Sequence, residues 1–339
     1  MNTNKIIELY AEYVWPVIRL VVRRSRRCRR CILSEHYGPL IGGLCAECRE
    51  QGATDSISAS VDSPEVKPET KVKFDRVIKS YINGNRYHGL LLLSGGKDSA
   101  YILNRMKAEY PELRLLCVTV NNGFMSTIAM SSAVRVAEKL KTDLIIANDC
   151  INEFAKVLRQ AFLDLKGRGS YGIVDFADGD LIFNIGQRMA KNMGVPLVIG
   201  GLSWVQVQRI CGNDDFEIVK DSAPHIVFPL AVWRTNEQEI RRVVRSTDLL
   251  PKGSDSPIVS NNTLILTMSA IDVMNLGYCS FEPEFAQLVR EGKTDRNTWL
   301  HVFELLEFAT HNGIFDKEIT RTLAQLDMSL NDIVKEKKR

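Results

Sequence analysis

From Gly89 onward the apolar positions change period again and again. Gly89 to Leu93 is an unbroken apolar run, the pattern of a strand buried on both faces. Lys97 to Tyr110 then places Ala100, Leu103 and Met106 at helical spacing. Leu113 to Val120 predicts a second strand, Thr127 to Leu140 a helix, and Asp143 to Ala147 a third strand. Helices follow over Asn152 to Leu165 and Asp180 to Met193, and a fourth strand over Pro196 to Ile199. Strands that alternate with helices predict an α/β domain with a parallel sheet covered on both faces. Past Leu230 the rhythm turns helical, with helices expected over Asn236 to Arg245, Trp299 to Ala309 and Asp316 to Leu326.

The chain ahead of the first strand reads differently. Residues 51–73 are rich in Ser, Pro, Glu and Lys, a composition that buries no core, and are expected to be a linker. Residues 1–22 mix apolar positions with Glu8, Glu12 and Arg19, and Pro16 interrupts them. That is too polar for a spanning helix, and it lacks the pure apolar core and cleavage site of a signal peptide. The expected organisation is an amphipathic, basic helix over 1–27, a cysteine module over 28–50, the linker, the sheet domain over 74–230 and a helical region over 231–339.

Charge changes this picture at one place. The net charge over 339 residues is only +3, so the chain as a whole is no polyanion binder. Yet Arg19, Arg23, Arg24, Arg26, Arg27, Arg29 and Arg30 crowd one stretch, and Lys335 to Arg339 form a smaller basic tail. Such clusters attract phosphates, nucleic acid or an anionic membrane surface, or simply cover a solvated helix face. A cytoplasmic location is expected, with membrane-surface association through the N-terminal helix left open.

Four of the eight cysteines carry a specific spacing: Cys28 and Cys31 form one CxxC knuckle, and Cys45 and Cys48 form another. Gly38, Gly42 and Gly43 allow the intervening chain to double back. Four thiolates suit a closed tetrahedral Zn²⁺ site of the structural kind, with an iron–sulfur cluster as the competing reading. Cys117, Cys150, Cys211 and Cys279 are scattered. Cys117 reads as core; Cys150 and Cys211 are the two to watch, with Cys211 following the fourth strand near the nucleotide or, as the competing reading, a plain surface thiol.

Between the first strand and the next helix stands Ser94-Gly95-Gly96-Lys97-Asp98-Ser99. Ligands of open α/β sheets bind beyond the carboxyl ends of the strands. Two glycines bring backbone N–H groups close to an anion, and the helix adds its positive end. Ser94 and Ser99 supply hydroxyls and Lys97 a full charge. Asp98 beside a phosphate makes sense only with an intervening cation such as Mg²⁺. The spacing is neither that of the Walker loop nor of the dinucleotide loop. Taken together, these groups read as a pyrophosphate site with a metal.

The loop resembles the SGGxDS signature of the PP-loop ATP pyrophosphatase superfamily, over roughly residues 86–202. The resemblance implies an adenine nucleotide alpha hydrolase-like fold that cleaves ATP between its α- and β-phosphates and places AMP on a carbonyl-type oxygen. It assigns Ser94 to Ser99 to the nucleotide, with Ser94, Lys97 and Asp98 catalytic. It adds Asn121 and Asn122 in "TVNNGF" near the adenosine, Arg188 for a phosphate, and Gly200 and Gly201 for backbone contact. Simple turns at the asparagines and a surface arginine at 188 are the competing readings. Leu202-Ser203-Trp204 departs from relatives that carry a His or an acidic pair there, which puts a second metal ligand at that place in doubt.

An N-terminal cysteine ribbon ahead of SGGKDS is similar to the N-acetyl sugar amidotransferases of surface-polysaccharide biosynthesis. So is the Arg-x-Gly-Lys-x-x-Arg stretch within Glu284 to Trp299. This narrower likeness implies a sugar or sugar-nucleotide substrate, ammonia as nucleophile, an amidine product and an ammonia-supplying glutaminase subunit. The alternative is a tRNA thiolation enzyme with sulfur as nucleophile, which the arginine cluster would suit. A nucleic-acid-binding module with a degenerate ATPase fold is a third reading, against which the intact loop argues. The polar loop at Asp255, Ser256, Asn261 and Asn262 is a candidate sugar contact or a solvated loop, and His225 and His301 have no readable partner.

Overall fold

The structure, a computed structural model, describes residues 9–51, 66–211, 215–221, 223–254 and 262–334. In chain order the helices are a π turn at Tyr10–Val14, α1 Trp15–Ile18, α2 Ala46–Gln51, α3 Pro68–Ser80, α4 Lys97–Glu109, α5 Thr127–Lys139 and α6 Ile151–Leu163. They continue with a second π turn at Tyr171–Asp175, α7 Phe176–Asn192, α8 Trp204–Cys211, α9 Pro229–Trp233 and α10 Glu237–Ser246. The last four are α11 Leu264–Leu276, α12 Glu282–Arg290, α13 Arg296–His311 and α14 Asp316–Ala324. The strands are β1 Gly89–Leu92, β2 Leu115–Val120, β3 Asp143–Ala147, β4 Leu197–Ile199, β5 Glu217–Ile218 and β6 His225–Val227.

The strands form one sheet in the order β3-β2-β1-β4-β6-β5. All pairings are parallel except that of β5 with β6. Leu90 pairs with Leu116 on one side of β1 and with Val198 on the other. All of β1, β2 and β4 is buried, as apolar runs covered on both faces require. The parallel α/β architecture expected from the alternating pattern is therefore present, with β5 and β6 added. Those two strands are too short to show a period.

The chain divides into two compact units that are not linear in sequence. The sheet unit comprises Asp62–Asn152 and Gly179–Asn261. Its core gathers Leu91, Leu93, Leu103, Met106, Leu197 and Val227 around the strands. Phe74 and Ile78 from α3 join that core, so the helix starts at Pro68, ahead of the expected domain start at Phe74. Pro68 costs the helix nothing, because an N1 residue has no intrahelical N–H bond to lose.

The second unit comprises Met1–Val61, Glu153–Asp178 and Asn262–Arg339. The break expected at Pro16 is a π turn instead. The Trp15 N–H donates to Tyr10 O, and α1 then accepts Pro16 in its first turn, where its missing donor is harmless. Trp15 is buried against Phe308, and its Nε1 donates to Glu304 at 3.0 Å. Arg19 forms a two-pronged pair with the same carboxylate at 2.7 and 2.8 Å. Buried Arg27 is paired with Glu282 and Glu307, both at 2.9 Å. The unit is thus sewn from both ends of the chain. Helix α11 is buried nearly all round, and its Asp272 accepts from the Ser170 N–H at 2.8 Å and the Ser280 N–H at 3.0 Å.

Asp175, at the end of the second π turn, is raised from 3.8 to about 7 by burial and by Asp178 and Glu284 nearby. The folded state therefore holds this proton more tightly than the unfolded chain does. The stability present below about pH 4 is lost as pH rises through about 7. Asp175→Asn is expected to flatten that slope, so that urea unfolding at pH 8 shows the variant more stable than the native chain and at pH 4 shows the two alike.

Candidate functional site

The order of the sheet fixes where a ligand would lie. From β1 the chain runs one way to β2 and β3, while β4 lies on the other side of β1. The crevice at the carboxyl ends of β1 and β4 is thus the switch point of the sheet, the usual ligand position in open α/β folds. Ser94 to Ser99 follow β1, Gly200 and Gly201 follow β4, and Asn121 and Asn122 follow β2 on β1's other flank. Three stretches separated in sequence meet along one edge.

Gly95 is the tightest point of the loop. Its φ is +74°, and a Cβ there would lie 1.9 Å from the backbone oxygen of Ala129 in α5. Only glycine allows that approach. Gly96 then caps α4 in extended conformation, so the first-turn N–H groups of α4 point out of the helix at the loop. Ser94 Oγ lies 3.1 Å from Ser99 Oγ, and Ser99 donates to Gly96 O at 3.2 Å. A Cβ on Gly201 would touch Ser99 Cβ at 3.8 Å, so the end of β4 lies against the loop. Gly200 is wedged between Phe183 and Phe228, each of which a Cβ would meet at 2.7 Å.

Lys97 Nζ is 2.8 Å from Asp98 and 3.7 Å from Glu237 in the first turn of α10. Burial opposes the charge of Glu237, but Lys97 and Arg241 outweigh it and hold the carboxyl below its ordinary value. Nothing in the local sequence around Glu237 points to Lys97. The only local signal is the Asn236 cap, whose Oδ1 accepts from the Glu239 N–H at 2.8 Å, and a cap names no distant partner. Asn121 donates to Asn148 at 2.7 Å and accepts from the Gly123 N–H, while Asn122 accepts from the Phe124 N–H. Both side chains thus brace strand-end turns. Arg188 is exposed on α7. Ser203, in the departing stretch after Gly201, begins α8 by pairing with Gln206.

The donor set fits its expected groups. One partly exposed carboxylate, Asp98, beside two hydroxyls at a helix start is what Mg²⁺ shared with phosphates needs. Cys117 is buried, and burial pushes its thiol up to about 11, in keeping with a core residue. Cys150 is buried with its thiol against Asn121 O and Ala147 O, both at 3.5 Å. The Cys211 side chain, Asp255, Ser256, Asn261 and the basic tail from Lys335 lie outside the described residues. Asn262 donates to Asp178 at 3.1 Å. His225 lies 2.9 Å from the Tyr81 hydroxyl and 2.8 Å from Glu217.

In the other unit, the Sγ atoms of Cys28, Cys31, Cys45 and Cys48 lie within 4.8 Å of one another, and all four residues are buried. Cys31 and Cys45 Sγ are 3.6 Å apart. Four thiolates around one ion at about 2.3 Å stand about 3.8 Å apart, so the set fits a single metal ion. Each knuckle closes on a small bridge, Arg27 with Ser34 and Ile41 with Leu44, and the second turns through Gly42 and Gly43 at positive φ.

The stretch Arg290-Glu291-Gly292-Lys293-Thr294-Asp295-Arg296 packs on this cluster. Arg296 donates to Cys31 O at 2.7 Å and to Cys28 O at 2.9 Å. Arg290 is half-buried beside the cluster; burial works against its charge, and Cys31 and Cys48 favour it. Next to the ribbon is a cavity of about 820 Å³. Arg19, Arg23, Arg24, Arg26, Arg27 and Arg29 line it with Arg296, and among the described residues Glu304 is the one lining carboxylate.

No family model matches the chain. An uncharacterized protein of Methanocaldococcus jannaschii is 40% identical over 65 residues, 19% of this chain and 23% of that protein. This chain thus spans about a quarter of the length of that relative. Among solved structures, the chain is similar to a U34-tRNA thiolase of Methanococcus maripaludis with its [4Fe-4S] cluster, at 17% identity and a TM-score of 0.40 over 88% of this chain and 89% of that one. It is similar to an NAD⁺ synthetase of Burkholderia pseudomallei, at 17% identity and 0.37 over 80% and 96%. The phosphoadenylyl-sulfate reductase of Candida auris follows, at 14% identity and 0.33 over 56% and 83%.

Two outcomes follow from the geometry. Gly95→Ala should lower stability by about 2 kcal/mol or more, read by urea unfolding, because both the positive φ and the Ala129 oxygen oppose a methyl group. Arg296→Ala should weaken metal retention by roughly 10- to 100-fold in a chelator competition, since the carbonyls that position Cys28 and Cys31 lose their anchor.

Proposed function

We propose that the chain is an ATP-dependent enzyme of the PP-loop ATP pyrophosphatase type that activates a carbonyl-type oxygen by transferring AMP to it. The observation that carries this reading is the position of Ser94 to Ser99 at the switch point, with Gly201 against Ser99. The acceptor oxygen attacks the α-phosphorus, the bond to the bridging oxygen breaks, and pyrophosphate leaves. Loop N–H groups, the start of α4 and Lys97 stabilise the charge that collects on the leaving group. Asp98 would hold Mg²⁺, which supplies further positive charge at the phosphates. Asn121, Asn122, Arg188 and Gly200 complete the proposed nucleotide contacts.

In its finer form, the acceptor is the acetamido oxygen of a sugar or sugar nucleotide. The nitrogen lone pair of ammonia attacks the activated carbon, AMP departs with the oxygen, a proton is released, and an amidine remains. The likeness of Arg290 to Arg296 and the cysteine ribbon to sugar amidotransferases supports this form, and the two stretches pack together. A glutaminase subunit would supply the ammonia. Thiolation of tRNA would use the same activation with sulfur as nucleophile. Cys117 and Cys150, buried in a strand and a turn, speak for ammonia. Zn²⁺ in the four-thiolate site would hold the fold together and take no part in the reaction.

Incubation with ATP, Mg²⁺, ammonium and acetamido-sugar nucleotides should yield AMP and pyrophosphate in step with an amidine carrying ¹⁵N from labelled ammonium. Lys97→Ala should lower AMP formation by roughly 100-fold or more, with metal content unchanged. Products limited to ADP and orthophosphate would overturn the whole reading. Turnover only with tRNA and a sulfur donor would replace the acceptor and keep the activation step.

A further inference from the structure

The N-terminal helix shows two opposed faces. Ala11 and Trp15 are buried, and Trp15 is pinned by Glu304 and Phe308. On the other side Tyr13 is 67% exposed, Val17 69%, Leu20 73% and Val21 86%. Val17 stands in α1 and Leu20 and Val21 in the turn directly after it, and with Tyr13 they form an exposed apolar patch of a kind that soluble surfaces seldom keep. Directly after it come Arg23, Arg24, Arg26 and Arg29, all exposed and all lining the cavity. Arg19 and Arg24 share Glu304, and Arg26 pairs with Glu35, so the lining still carries a surplus of positive charge.

We propose that this face docks the chain on an anionic membrane surface. The aliphatic stripe enters the boundary between headgroups and acyl chains, and the arginines and their cavity take lipid phosphates. Charge complementarity selects this occupant. An RNA would use the arginines and leave Val17, Leu20 and Val21 in water, and an apolar protein patch would cover those and leave the guanidiniums unmatched. A membrane interface answers both together, with Tyr13 at the depth where tyrosines gather. Among the described residues no helix is long and apolar enough to cross a membrane, so the contact is peripheral. The inference is independent of the reaction proposed above.

The test is co-sedimentation of the full chain with vesicles of phosphatidylcholine alone and of phosphatidylcholine mixed with phosphatidylglycerol. Binding to the mixed vesicles is expected to be roughly tenfold stronger or more, and to weaken as salt is added. Val17→Glu combined with Leu20→Glu should reduce it at least about tenfold, and Arg23→Glu alone roughly tenfold. Each variant should keep the native unfolding temperature, because the altered side chains are exposed; Arg23→Glu stands as the separate check if the double variant melts early. Equal binding to both vesicles, or undiminished binding by a folded variant, would overturn the proposal. So would binding of tRNA in place of vesicles with the same loss in Arg23→Glu, or a native dimer that Val17→Glu splits.

Discussion

A methyl group at position 95 would stand 1.9 Å from the carbonyl oxygen of Ala129, and the backbone there is already in the left-handed region. β1, α4 and α5 meet at that point, and their approach is what aims the first turn of α4 along the edge of the sheet. Ser94 and Ser99 face each other because the chain reverses so tightly between them. Lys97 reaches both Asp98 and Glu237 because α4 starts where it does. Ser94 to Ser99 thus inherit their position from this contact.

The cysteine cluster works by a different logic. Its four thiols come from one short stretch, but the groups that steady them come from the far end of the chain. Arg296 fixes the carbonyls of the first knuckle, and Arg27, just ahead of it, is neutralised by Glu282 and Glu307. Buried ion pairs of this kind add little net stability, yet breaking one leaves a charge stranded. The ribbon is therefore committed to its place among α12 and α13.

Much of this was legible in the sequence where pattern and chemistry are local. β1 to β4 and the helices between them stand within a few residues of the expected bounds, because buried strands and one-sided helices have different periods. The two CxxC pairs announced a cluster because ligand spacing is local too. Helix α11 leaves no stripe in the sequence, because it is buried nearly all round. Glu237 and the bracing role of Arg296 were invisible for a plainer reason: each acts on a residue far away in the chain, and no local pattern records a long-range ion pair or hydrogen bond.

At one margin of the sheet, β5 covers β6 with two residues running the opposite way. A bare strand margin offers a ladder of open peptide groups to any neighbouring molecule. Glu217 in β5 is held by Lys73 at 2.5 Å and lies 2.8 Å from His225, so the short cover is tacked down by side chains as well as by backbone. Little ladder is left for a foreign strand to climb, and a carboxylate sits at its foot. Along this margin the two residues of β5, pinned by Lys73, set the length of ladder that a foreign strand would find.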